Sequence, residues 1–66
     1  MNWWVIQCNR GVFAAYGPYK TKAAAENRYN KTHGGEINLF ESWAHEAEEA
    51  IADFKLVKYD PSNLVR

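Results

Sequence analysis

Sixty-six residues allow one small domain, and a single cysteine (Cys8) with two histidines (His33, His45) excludes an intrachain disulfide or a zinc-type cluster as reinforcement. Stability must come from packing, and three Trp, four Tyr and three Phe supply more aromatic surface than so small a core can hold. The charges cancel in total but not in place: residues 1–35 carry five basic side chains against Glu26, residues 36–66 seven acids against Lys55, Lys58 and Arg66, so the halves are about +4 and −4.

Trp3 to Cys8 reads as a strand rich in β-formers, and Val12 to Tyr16 as a second one after a turn at Asn9-Arg10-Gly11. A two-residue loop at Arg10-Gly11 puts Cys8 opposite Phe13 and Ile6 opposite Ala15. Trp4, Ile6, Cys8, Phe13 and Ala15 then share one face, and Trp3, Val5, Val12 and Tyr16 the other. Gly17-Pro18 stops the second strand, since proline cannot donate to a ladder. Thr21 offers an N-cap for a helix over 22–32, and Gly34-Gly35 reads as its C-cap. The apolar face of that helix is thin, mainly Ala25 and Tyr29.

Two patterns overlap in 36–54. At about 100° per residue, Leu39, Phe40, Trp43, Ala47, Ala50, Ile51 and Phe54 share one arc, with the acids outside it, which predicts a helix over 39–53 begun by Asn38 and Glu41. The alternative is a strand at 36–41 followed by a shorter helix capped by Ser42. Lys55 to Tyr59 alternates and reads as a final strand, Asp60-Pro61-Ser62-Asn63 as a turn, and 60–66 as a frayed tail. The expected fold is a single α+β domain over residues 1–66. It has two layers, a small antiparallel sheet of three strands (four with 36–41) and two helices on one face, in the order β-β-α-α-β.

No constellation reads as a catalytic, cofactor or metal site. Cys8 has apolar neighbours and no adjacent base, and is expected as a small buried hydrophobe. His45 and Glu49 are spaced for a surface pair on one helix face. Glu46, Glu49 and Asp53 form a carboxylate ridge that one helix side cannot turn into a calcium cage.

Residues 16–26, Tyr-Gly-Pro-Tyr-Lys-Thr-Lys-Ala-Ala-Ala-Glu, run a strand through Gly-Pro-aromatic into a Thr-capped helix. This join resembles short phage-encoded proteins. It is also similar to one repeat of the peptidoglycan-binding SPOR domain and to the arm-type DNA-binding domains of phage integrases. A SPOR domain needs a β-α-β-β-α-β order and export. An arm-type domain has three strands before its helix and a recombinase joined to it. Neither pattern is met here, so no functional residue is carried over. What the resemblance implies is phage or mobile-element origin.

The leading expectation is a non-catalytic module that binds a host protein with a basic surface, in the manner of a phage inhibitor. Glu46, Glu49 and Asp53 would steer it, and Trp3 and Tyr16 would anchor it. The alternative is a small nucleic-acid binder using Arg10, Lys20, Lys22 and Lys31 with the aromatics Trp3 and Tyr19. Pairing of an exposed hairpin edge or aromatic face with a second copy, as a homodimer, stays open. The N-terminus lacks a signal-peptide pattern and no run approaches a membrane span, so the chain reads as a complete cytoplasmic protein with no membrane partner.

Overall fold

Trp4, Val5 and Ile6 are consecutive and all three are fully buried. Successive side chains of a strand point to opposite faces, so this strand must be covered on both. The computed structural model, which describes residues 1–59, shows how. β1 (Asn2–Asn9) and β2 (Val12–Tyr19) form a hairpin, α1 (Lys22–Lys31) follows, then β3 (Glu36–Ser42) and α2 (Ala47–Tyr59). The sheet is antiparallel with order β2-β1-β3, which makes β1 the central strand.

The expected class holds: an α+β domain with a three-stranded antiparallel sheet and two helices. The hairpin register is the one a two-residue loop dictates, with Cys8 opposite Phe13 and Ile6 opposite Ala15. β2 does not stop at Gly17-Pro18, however: as an edge strand it tolerates a proline and runs on to Tyr19, which pairs with Trp3. Arg10 and Gly11 both take positive φ, 53° and 80°, as a tight turn matched to strand twist requires. α1 begins where expected, with the Thr21 hydroxyl accepting from the Ala24 N–H at 3.2 Å. It ends at Lys31, one residue short of the expected 32, and the glycines are not its cap. Thr32 is the C-cap, its N–H donating to the Tyr29 carbonyl. Gly35 then passes so close to β1 that a Cβ there would stand 2.2 Å from the Cys8 carbonyl oxygen.

The second half follows the alternative reading in part. Residues 36–42 are a strand followed by a separate helix, not the start of a helix over 39–53, and the residues expected as a final strand at 55–59 are the end of α2. The order is therefore β-β-α-β-α. The apolar residues of 36–42 fit both periods, and pairing along all of β3 with β1 decides between them. Phe40 pairs with Trp4 and points at α2, while Leu39 pairs with Val5 and points at α1. A sheet clad on both sides accommodates both residues. For 55–59, the helical spacing from Phe54 to Lys58 wins: the Lys58 ammonium lies 5.4 Å from the Phe54 ring centre and pairs with the Glu36 carboxylate. Ser42 caps no helix, because α2 begins five residues later. The turn and tail placed at 60–66 lie outside the described residues.

The helices also take opposite faces of the sheet instead of sharing one. Trp4 and Ile6 form the main core with Ala44, Ala50 and Phe54, supported by Phe13, Ala15, Phe40 and Ile51. Phe54 is its centre, with ring centroids 5.3 Å from Phe40 and 6.3 Å from Phe13. On the other face Val5 is buried beneath α1, which contributes Ala25 as its one buried residue. Among the described residues α1 and α2 make no mutual contact. No helix there is long and apolar enough to cross a membrane.

Candidate partner-binding surface

The link from β3 to α2, residues 43–46, is short and held by hydrogen bonds at Ala44, His45 and Glu46. Ser42 is buried; its hydroxyl donates to the Asp53 carboxylate and accepts from the Ala44 N–H at 3.0 Å. The Ala44 carbonyl accepts from the Asn2 side-chain amide at 3.0 Å, tying the link to the central strand. The His45 N–H donates to Glu49 Oε2 at 3.1 Å, and the Glu46 carbonyl starts the helix by accepting from the Ala50 N–H. Glu48 and Glu49 lie in the first turn of α2, where the helix dipole favours negative charge.

Ala44 is drawn into the core, and its neighbours are turned outward. Trp43 is 71% exposed, the most exposed large hydrophobic residue among the described residues. It forms one wall of a shallow notch completed by His45, Glu49, Ala52 and Asp53. The exposed Met1 precedes Asn2, which pairs with Ser42, at this same end of the sheet. A large indole thus stands on a restrained link beside two carboxylates.

The residues singled out as partner-binding are divided by the sheet. Glu46 and Glu49 are exposed near the start of α2, and Asp53 is half-buried through its bond to Ser42. Trp3 and Tyr16 lie on the α1 side, both half-buried: Lys22 stands 5.6 Å from the Trp3 ring centre and Arg28 4.0 Å from that of Tyr16. The structure therefore brings Trp43 to the carboxylates, and not Trp3 or Tyr16. The signal for Trp43 lay in the strand pattern of 36–42, which ends just before it. His45 precedes α2, so the His45–Glu49 pairing is a backbone cap and not a helix-face pair.

The basic set does not converge. Arg10 sits in the hairpin turn and Lys20 beyond the far end of β2, about 25 Å away at ~3.3 Å per residue. Lys22 is engaged with Trp3 and, at 4.0 Å, with Glu26; Tyr19 is half-buried, and Lys31 closes α1. Cys8 is half-buried on the α2 side of the sheet, paired across the strands with Phe13 and Glu36. Among the described residues no group of three His, Cys, Asp or Glu side chains is placed to hold a metal ion. No family model, curated protein or solved structure matches the chain.

Proposed function

We propose that this chain is a non-catalytic protein-binding module, of the kind a phage uses to block a host or defence protein, and that it receives a basic partner surface at the Trp43 notch. The observation that carries the reading is the exposed indole of Trp43 on a hydrogen-bonded link, flanked by Glu49 and Asp53. Tryptophan and arginine are the residues that most often dominate interface energy, and an arginine stacked on an indole beside a carboxylate satisfies both of its bonding modes. Glu46 and Glu48 add field that speeds encounter with a basic surface.

The test compares three baits in affinity capture from bacterial lysate: wild type, Trp43→Ala and Glu46→Lys/Glu49→Lys. A partner held by the wild type and lost by both variants, with circular dichroism unchanged, supports the reading. Capture that survives Trp43→Ala refutes it. Salt-sensitive binding of an oligonucleotide abolished by Lys20→Glu/Lys22→Glu would instead favour the nucleic-acid reading.

A further inference from the structure

The sheet ends on two edges, β2 and β3, and among the described residues no strand pairs with the outer side of either. The edges are not alike. β2 contains Pro18, which has no N–H, and its register with β1 slips between Trp3 and Val5. Both features blunt an edge against further pairing. β3 has neither. Its seven residues contain no proline or glycine and pair with β1 one for one from Ser42 to Glu36. The outer side of β3 is thus an unbroken row of alternating N–H and C=O groups, which is a template for another strand.

We propose that β3 pairs antiparallel with β3 of a second copy, joining two three-stranded sheets into one of six strands. The strand's own sequence selects that occupant. With Leu39 on the two-fold axis all seven residues overlap: Leu39 faces Leu39, Ile37 faces Glu41, Asn38 faces Phe40 and Glu36 faces Ser42. Glu36 and Glu41 lie on opposite faces of the sheet, so this symmetry never sets one directly against the other. Glu36 is moreover already paired with Lys58 and bonded to the Asn38 amide, which compensates the charge that would otherwise guard the edge. On the α1 side, Ile37 and Leu39 line an open groove with Tyr29 that runs along this edge, and the copy's Leu39 would continue its apolar floor.

Sedimentation from about 1 µM to about 1 mM tests for the dimer, and a pair of variants tests its register. Ile37→Glu sets a carboxylate opposite Glu41 of the copy, twice per dimer, whereas Ile37→Lys sets an ammonium there. Both lose the same apolar side chain, so any shared cost to the fold cancels in their ratio. Ile37→Lys should dimerise about tenfold more tightly than Ile37→Glu, and Ile37→Glu/Glu41→Lys should recover the loss. A readout free of substitution is amide exchange of the wild type, which should slow with concentration in β3 and not in β2. A wild type monomeric throughout, equal constants for the two variants, or protection appearing in β2 would each overturn the proposal.

Discussion

Ser42→Ala removes one hydroxyl and leaves two groups without partners. The first is the Ala44 N–H, buried with its residue, whose stranding costs about 1–3 kcal/mol. The second is the Asp53 carboxylate, which loses a charge-assisted bond; Asp53 is half-buried, so about 1 kcal/mol is the fitting end of the range. Together these give about 2–4 kcal/mol, set against about 3–10 kcal/mol for the whole stability of a chain this size. With a urea slope near 1 kcal/mol/M, the unfolding midpoint should fall by about 2–4 M. Asp53→Ala removes only the acceptor and should cost about 1–2 kcal/mol. The double variant should cost little more than Ser42→Ala alone, because the bond can be lost only once. Urea titrations followed by far-ultraviolet circular dichroism measure all four corners of this cycle. Strictly additive single effects, or a Ser42→Ala loss below about 0.5 kcal/mol, would refute the account of the link as pinned from Ser42.

Two further substitutions probe the core and a close backbone approach. Phe54→Ala empties the centre of the α2-side core, between Phe13 and Phe40, and should cost about 3–5 kcal/mol, enough to abolish a cooperative thermal transition. Gly35→Ala should unfold the chain outright, since its Cβ would collide with the Cys8 carbonyl, whereas Gly11→Asn at the open hairpin turn should stay within about 1 kcal/mol of wild type in the same melts.

The hairpin's turn and register are legible because their determinants are local, a run of β-formers and a two-residue turn, whereas the stop read at Gly17-Pro18 is overrun by β2. The Thr21 cap is legible for the same reason. Residues 36–42 are less so: the helical spacing of Ala50 and Phe54 marks α2, but Leu39 and Phe40 continue that spacing backward, and pairing with β1 is what makes 36–42 a strand. That pairing is long-range, so the spacing alone leaves strand and helix as alternatives. The same gap hides the site. Carboxylates can be counted in the sequence, so Glu46 and Glu49 were nameable, but the outward Trp43 adjoins an Ala44 that is set into the core and bonded to Asn2, more than forty positions away. The Trp4-Val5-Ile6 run did carry the hint of a strand covered on both faces, and thus of helices on opposite sides.

That two-sided cladding is uneven. α2 is fastened by Ala50 and Phe54 set into the core, while α1 is fastened by Ala25 and by two cations lying over rings, each worth about 0.5–1 kcal/mol at such exposed positions. The cheapest excursion from the native state is therefore the lifting of 22–32 away from the sheet with everything on the α2 side still in place. It would bare Val5 and Leu39 to water while leaving Trp43 on its bonded link. Unwanted stickiness in this chain would begin on the face that carries no carboxylate notch, and strengthening α1 would suppress it without touching the other side.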